Sequence, residues 1–295
     1  MHRIFSCLAL LLATGCASVE AERPSESPGA IFGPGGAVLS EAEMVAALEQ
    51  ARIVVLGEVH DNPVHHARQA RLVGQLRPRG IAFEMVPDAS EEGIQVFLAQ
   101  GGAPGSIGPA IGWDRMGWPD WKFYAPIFEA ARGAYIAGGG VARSGIRAAM
   151  EDGAAIAYGA GASTVGLDRP LDAAVRIEIE DEMIAAHCNK LPRRAAGGMV
   201  EAQRLRDARF ANAVLRAGSE GDGRAVLITG NGHARTDRGV PAYLRLVAPD
   251  MTVLSVGMIE LAPGADPAAA ARGLPFDYVW FSGQTKRPDP CAGFG

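Results

Sequence analysis

Short β-branched runs separated by helical segments are the feature of this 295-residue sequence that most constrains its fold. The runs RIVVLG (52–57), GIAFEM (80–85) and RAVLITG (224–230) each have the pattern of a buried strand. Helical patterns follow the first two runs and precede the third. This alternation predicts an α/β fold with a mainly parallel sheet flanked by helices.

The middle of the chain, about residues 105–218, is rich in helical patterns and poor in strand patterns, apart from a short strand near Tyr135. We expect a helix-rich insertion that forms a cap over the sheet. With 48% apolar residues, the chain has enough material for one large core. The predicted domain therefore runs from residue 37 to residue 295 and includes this insertion.

The first sixteen residues have the features of an export signal. A weakly basic start precedes an apolar run over residues 4–12, which is too short to span a bilayer as a stable helix. The sequence ATGC at 13–16 then resembles a bacterial lipobox, in which Cys16 becomes the lipidated N-terminus. The alternative is a plain secretory signal that is cleaved nearby. Because Ala17 rather than Asp follows the cysteine, we expect anchoring on the periplasmic face of the outer membrane.

Residues 17–36 (ASVEAERPSESPGAIFGPGG) are rich in Pro, Ser, Gly and Glu. This composition cannot bury a core and predicts a flexible tether between the membrane and the domain. About 20 extended residues would reach on the order of 70 Å.

Two cysteines remain beyond the signal segment, Cys188 and Cys291. A compartment outside the cytoplasm permits disulfides, so we expect these two residues to pair. The alternative is two free thiols, which a thiol count on the denatured, unreduced protein would detect.

Polar residues follow the three predicted strands at the point where each strand ends. Glu58 and His60 follow the first strand. Glu84 lies near the end of the second, and His233 follows the third. In open α/β sheets the carboxyl ends of parallel strands border the ligand crevice, so we expect these side chains to converge. The alternative for the two histidines is a core imidazole that is hydrogen-bonded to backbone.

Two more of the six histidines, His65 and His66, fall in the first turns of the helix that follows His60. Adjacent helical residues point about 100° apart, so at most one of the two faces the crevice. We favour His65 for a site role, and the alternative for both is an exposed helix face.

The paired strings GEVH (57–60) and GNGH (230–233) match the two Gly-x-x-His motifs of the Tiki/TraB/ChaN superfamily. The longer string LGEVHDNPVHH resembles the ChaN branch, the haem-binding lipoproteins linked to iron uptake. Glu84 in FEM, and Gln203, Arg206 and Asp207 in AQRLRDARFA, fit the same pattern, and the resemblance covers roughly residues 38–281. It implies the fold inferred above and a haem-binding function in iron acquisition.

Relatives in the superfamily divide between haem binding and hydrolysis, and the residues here allow both. In the hydrolytic alternative, Glu58, His60 and His233 hold a divalent transition metal with an open position, and a spare Glu acts as general base. No HExxH, GxSxG or P-loop string supports an enzyme independently, so the sequence leaves that question open. The catalytic residues of this metal-dependent hydrolase would be Glu58, His60, Glu84, Arg206, Asp207 and His233.

Haem needs a large apolar slot and an axial ligand such as His or Tyr. The stretch GWDRMGWPDWKFY (112–124) supplies aromatic side chains that could wall a porphyrin pocket, or that could instead anchor the cap to the sheet. Arg68 or Arg115 could pair with the propionates. The residues expected to bind haem are His60, His65, Trp113, Trp118, Trp121, Tyr124 and His233.

The formal net charge of −5 leaves no basic footprint for nucleic acid. The resemblance and the lipobox-like sequence imply four other partners: haem, the membrane through the N-terminal lipid, a second copy of the chain in a homodimer, and an outer-membrane haem receptor.

Overall fold

The computed structural model describes residues 29–289 and 291–292. The export signal, the lipobox with Cys16 and most of the predicted tether lie outside these residues. The described chain forms one eight-stranded sheet. Its strands are β1 (Ile31–Phe32), β2 (Val38–Leu39), β3 (Ile53–Glu58), β4 (Gly80–Pro87), β5 (Tyr135–Gly140), β6 (Ala225–Gly230), β7 (Val253–Leu261) and β8 (Tyr278–Gly283).

The strand order is β2-β1-β8-β7-β3-β6-β4-β5. From β8 to β5 every neighbouring pair is parallel, and β1 and β2 add an antiparallel ribbon at one edge. The predicted α/β fold with a mainly parallel sheet is thus confirmed. Because β6 lies between β3 and β4, the three strands recognised from the sequence are neighbours, and their carboxyl ends share one edge.

Helices cover both faces of this sheet, as parallel sheets require. They are α1 (Glu41–Leu48), α2 (Pro63–Leu76), α3 (Glu91–Ala99), α4 (Ile107–Ile111), α5 (Trp121–Ala130), α6 (Arg143–Asp152), α7 (Ala154–Tyr158), α8 (Ala173–Ala186), α9 (Arg193–Glu220), α10 (Asn231–Ala234), α11 (Val240–Val247) and α12 (Pro267–Ala271).

Alternate residues of β3 supply the two halves of the core, because successive side chains of a strand point to opposite faces. Val54 and Leu56 join a cluster with α1, α2 and α5 on one face. Ile53 and Val55 join a cluster with α9 and α11 on the other face. Burial on both faces explains why β3 is apolar without interruption.

The tether that we predicted through residue 36 ends earlier than expected. Ile31 and Phe32 are buried in β1, which pairs with β8, and Phe32 packs edge-on against Phe281. A two-residue apolar pair inside a Pro/Gly-rich stretch gives too weak a pattern to predict a strand, yet the edge of β8 provides it with a partner.

The helix-rich stretch at about 105–218 is more closely integrated with the sheet than a separate cap would be. It contains β5, which pairs with β4 and confirms the short strand near Tyr135. It also contains α9, which packs directly on β4, β5 and β6. Helices α6, α7 and α8 lie on α9, so they form the part of this stretch that covers other helices.

The predicted disulfide is confirmed, since Cys188 at the end of α8 is bonded to Cys291. The bond attaches the segment after β8 to the helical layer. Among the helices of the described chain, none is long and apolar enough to cross a membrane.

Candidate functional site

Four polar residues meet near the carboxyl edge of β3, β6 and β4. Two lie within strands, Glu58 at the end of β3 and Glu84 inside β4, and two follow strands. We call them the strand-end cluster: Glu58, His60, Glu84 and His233. The Nε2 atom of His60 lies 3.8 Å from Oε1 of Glu84, and Nε2 of His233 lies 3.8 Å from the same oxygen. Both imidazoles therefore present Nε2 to the same carboxylate oxygen.

The glycines of the two Gly-x-x-His motifs make room for each other's side chains. A Cβ atom on Gly230 would lie 2.9 Å from Nε2 of His60. A Cβ atom on Gly57 would lie 2.4 Å from Oδ1 of Asn231. Each motif thus needs its glycine because the other motif approaches it closely, so the two motifs form one unit.

Glu58 fixes the orientation of the His60 ring through its Nδ1 atom. Nδ1 of His60 lies 2.8 Å from Oε1 of Glu58, and the Tyr124 hydroxyl donates to the same oxygen at 2.7 Å. Nδ1 of His66 lies 3.3 Å from the other oxygen, Oε2, but is not aligned for a hydrogen bond. His66 is instead hydrogen-bonded through Nε2 to the carbonyl oxygen of His60 at 2.8 Å.

These contacts keep Glu58 ionised in a buried position. Burial raises the pKa of this carboxyl, but the His60 hydrogen bond and the His66 contact outweigh burial and hold the pKa at about 2. Burial likewise lowers the pKa of His60, while Glu58 and Glu84 raise it, and the net shift is upward. A carboxylate on Nδ1 fixes the ring orientation and leaves Nε2 for a ligand.

Glu84 is the buried anion between the two imidazoles. Its Oε2 accepts from the Thr229 hydroxyl at 2.6 Å and from the Gly230 N–H at 2.8 Å, and its Oε1 pairs with Arg206. Burial raises the pKa of Glu84, but the charges of His233, Arg206 and His60 overcome this effect and lower the pKa to about 2.

His233 is held on the α9 side of the sheet. Its Nδ1 lies 2.6 Å from Oδ1 of Asp207, and its ring packs edge-on against Phe210. The side-chain nitrogen of Gln203 lies 3.0 Å from the same Nδ1. Burial raises the pKa of Asp207, and the nearby His233 offsets only part of this rise. The three α9 residues named from the resemblance thus all reach the cluster: Gln203, Arg206 and Asp207.

The aromatic residues between α4 and α5 divide into two groups. Trp118 is half-buried, and its ring centroid lies 5.0 Å from that of His60. Trp113 and Trp121 pack against each other and donate to the backbone carbonyls of Pro119 and Gly105, so they serve as anchors. Tyr124 is fully buried and reaches Glu58 rather than an open pocket.

His65, which we favoured from the sequence, lies away from the crevice. Its Nδ1 accepts from the Val59 N–H at 3.0 Å, and its Nε2 lies 2.7 Å from the Ser282 hydroxyl on β8. Arg68 is buried beneath β8 and donates to the Phe281 carbonyl, so it does not reach the cluster either. Arg115 is exposed in the loop that leads to Trp118.

His66 takes the place that we assigned to His65. Helical spacing could not separate the two histidines, because His65 lies seven residues before the buried Leu72 just as His66 lies seven residues before the buried Val73. Thr229 was also missed, since a threonine inside a strand has no distinguishing pattern.

The predicted metal ligands Glu58, His60 and His233 do not form a metal site. Among the residues that the structure describes, no group of three or more His, Cys, Asp or Glu side chains is arranged to hold a metal ion. The reason lies in the donor set. Glu58 is occupied by His60 and Tyr124, while Glu84, the carboxylate between the imidazoles, is occupied by Arg206 and two further donors.

Comparisons with known proteins agree with this architecture. Residues 44–244 match the family model described as "Haem-binding uptake, Tiki superfamily, ChaN". A solved structure described as "Cofacial heme binding to ChaN of Campylobacter jejuni" is similar, with 19% sequence identity and a TM-score of 0.65 over 86% of this chain and 96% of that chain. At this identity the likeness concerns the fold.

A second solved structure, of the type III effector HopBA1, also matches, with 15% identity and a TM-score of 0.44 over 82% of this chain and 92% of that chain. We base no argument on it. No curated protein matches the sequence.

Proposed function

Because the chain belongs to the ChaN family of haem-binding uptake proteins in the Tiki superfamily, we propose that it binds haem at the strand-end cluster with His60 as the iron ligand. The observation that carries this proposal is the state of the His60 ring. Its Nδ1 is held by Glu58, its side chain is 33% exposed, and its Nε2 is not hydrogen-bonded to any described residue. An imidazole that is oriented by a carboxylate and makes no hydrogen bond at Nε2 suits ligation of iron.

The other candidate ligands fit less well. The His233 side chain is only 6% exposed and is enclosed by Gln203 and Phe210. Tyr124 would have to bind iron as a phenolate, but burial and the Glu58 carboxylate raise its pKa strongly. His60 is therefore the most exposed of the three candidate ligands and the one that we favour.

The surroundings of His60 suit one face of a porphyrin. Trp118 provides an aromatic wall beside the ring, and Arg115 lies in the same loop with a cation for a propionate. We extend the proposal to a pair of haems held face to face between two copies of the chain, by analogy with the cofacial heme binding described for the Campylobacter jejuni protein.

The test is a haem titration followed by Soret absorbance on the wild type and on His60→Ala. We expect saturable binding to the wild type, and a changed Soret maximum with at least roughly tenfold weaker binding in the variant. His187→Ala, which removes a histidine at the end of α8, is the matched control and should bind as the wild type does. Equal haem affinity and an unchanged Soret spectrum in His60→Ala would disprove the assignment. Sedimentation with and without haem tests the pairing of two copies.

We further propose that haem binding serves iron acquisition at the outer membrane, with Cys16 as the lipid anchor and an outer-membrane haem receptor as the supplier. The supporting observations are the family and the lipobox-like sequence at 13–16. Cys16→Ser should release the protein from membranes and abolish acyl labelling. Unchanged membrane association together with unchanged labelling would exclude the anchor.

A second candidate function is hydrolysis by acid–base catalysis, and one observation favours it. Both imidazoles present Nε2 to Oε1 of Glu84 at 3.8 Å while carboxylates hold their Nδ1 atoms. In such an arrangement, Nε2 of His60 and Nε2 of His233 could each donate or accept a proton. Glu84→Gln separates the candidates: haem affinity should persist, whereas a hydrolytic activity should fall by roughly 10²-fold or more. Release of nitrophenol from nitrophenyl esters by the wild type and the variant provides the measurement.

A further inference from the structure

A cavity of about 290 Å³ lies under α8, between that helix, α9 and the ends of β7 and α11, and we call it the α8 cavity. Its volume is near the lower limit for small-molecule pockets, so it is smaller than a porphyrin requires. The strand-end cluster does not line it, although Gln203 and Asp207 border both places. Its walls are mainly apolar, and the apolar residues that the argument uses are Ile179, Met183, Val200, Tyr243 and Phe276.

Three arginines line the same cavity, and they are largely withdrawn from solvent. The side chains of Arg204, Arg235 and Arg238 are 10%, 21% and 13% exposed. The partners of the last two are much more exposed, because the side chains of Glu178, Glu182 and Asp237 are 58%, 50% and 46% exposed. Arg235 and Arg238 therefore lie deeper than the carboxylates that pair with them, and solvent screens those carboxylates. Arg204 pairs with Glu201, whose side chain is 16% exposed, and Glu182 and Asp207 also line the cavity.

Arg204 also has an unused donor. Its NH1 nitrogen donates to Glu201, and its NH2 nitrogen donates to the carbonyls of Leu167 and Arg169. The buried Nε has no aligned hydrogen-bond partner among the described residues. Burial raises the pKa of Tyr243, and the interaction of its hydroxyl with the Arg204 guanidinium offsets only part of this rise, so the hydroxyl stays protonated. Buried polar groups are usually paired, so an unpaired donor beside a cavity points to a missing acceptor.

We propose that the α8 cavity is a binding site for a small apolar carboxylate, separate from the haem site. The carboxylate head would lie among Arg204, Arg235 and Arg238. The apolar body would pack against the wall that Ile179, Met183 and Val200 form. The cavity volume limits the size of the ligand. The apolar lining suits its hydrocarbon body, and the buried arginines suit its negative charge.

The test uses octanoate as the probe in isothermal titration calorimetry with the full folded chain. We expect saturable binding of octanoate and at least roughly tenfold weaker binding of octan-1-ol, which lacks the charge. Met183→Trp fills the cavity and should abolish binding. Arg235→Gln should weaken it by roughly tenfold. The matched controls are Met150→Trp, which enlarges an exposed methionine on α6, and Arg194→Gln, which removes an exposed arginine at the start of α9; both should bind octanoate as the wild type does.

Three results would each overturn the proposal: no saturable binding of octanoate, equal affinity for octan-1-ol, or unchanged affinity in both Met183→Trp and Arg235→Gln. If circular dichroism shows that Arg235→Gln is unfolded, the cavity-filling variant alone decides, since it leaves the charges in place. Octanoate binding should persist in His60→Ala. Its loss there would locate the probe at the strand-end cluster and refute a separate site.

Discussion

We predict that protonation of His65 in mild acid destabilises the folded protein. The imidazole is fully buried, and its Nδ1 accepts a hydrogen bond from the Val59 N–H, so this nitrogen carries no proton at neutral pH. The proton is therefore on Nε2, which donates to the Ser282 hydroxyl. Protonation of Nδ1 would remove the acceptor and set two N–H groups against each other. Burial and the neighbouring Arg68 accordingly lower the pKa of His65 from 6.5 to about 4.

The sign and size of the effect follow from proton linkage. The unfolded chain takes up a proton at this position near pH 6.5, whereas the folded chain resists until about pH 4. The stabilisation that neutral His65 provides is therefore complete above pH 6.5 and is lost as the pH falls toward 4. It amounts to about 3 kcal/mol over the whole window, of which about 2 kcal/mol is lost by pH 5.

The assay compares urea unfolding of the wild type and of His65→Gln, which does not titrate, at pH 8, 7, 6 and 5 with the disulfide intact. Other groups titrate alike in both proteins, so their contributions cancel in the difference. The wild type should be the more stable protein at pH 8, and its advantage should shrink by about 2 kcal/mol at pH 5. Asn62→Ala is the control, because it destabilises the same turn without removing a titrating group. A stability difference between wild type and His65→Gln that stays constant from pH 8 to pH 5 would refute the reasoning.

Three further changes test the architecture by their effect on the free energy of unfolding in urea. Asn62→Ala should cost about 2 kcal/mol, because the Asn62 side chain caps α2 and also donates to Glu260, and a value near zero would contradict this capping role. Gly80→Ala should cost at least about 1–3 kcal/mol, since its Cβ would lie 1.9 Å from a backbone oxygen of α9, whereas Gly74→Ala, with no neighbour within 4 Å, should stabilise α2 by about 0.5–1 kcal/mol. Reduction of the disulfide, which closes a sequence separation of 103 residues, should cost up to about 4–5 kcal/mol, and an unchanged urea midpoint would show that the bond restrains little.

The sequence was informative about the centre of the fold because β3, β4 and β6 are buried on both faces. Such strands are mainly apolar runs, and local pattern is enough to identify them, although β4 continues past Glu84 to Pro87. The edge strand β1 has only two residues and depends on β8 for its existence, so no local signal marks it. Helix α9 begins at Arg193 and continues through Gly197 and Gly198, because its tertiary packing overrides the weak helix propensity of these two glycines.

The same distinction applies to the site. The convergence of Glu58, His60, Glu84 and His233 could be predicted, because it follows from the general rule for the carboxyl ends of parallel strands. The contact between Tyr124 and Glu58 could not, since it spans 66 residues and depends on how α5 packs on α2. From the sequence we assigned Tyr124 to a haem pocket because tyrosine can ligate haem iron. In the structure, packing directs its hydroxyl to the Glu58 carboxylate.

Two of the three histidines between Ile53 and Leu76 restrain the third, which is His60. His65 accepts from the N–H of Val59, directly before His60, and His66 is hydrogen-bonded to the carbonyl oxygen of His60 itself. The backbone is thus held on both sides of the residue whose ring is partly exposed, while Glu58 holds that ring at Nδ1. Adjacent positions on α2 point about 100° apart, which allows His65 to face β8 while His66 faces α5. A turn that is restrained at its N–H, its carbonyl and its side chain loses little conformational entropy when a ligand binds to Nε2, and two of the three imidazoles supply this preorganisation.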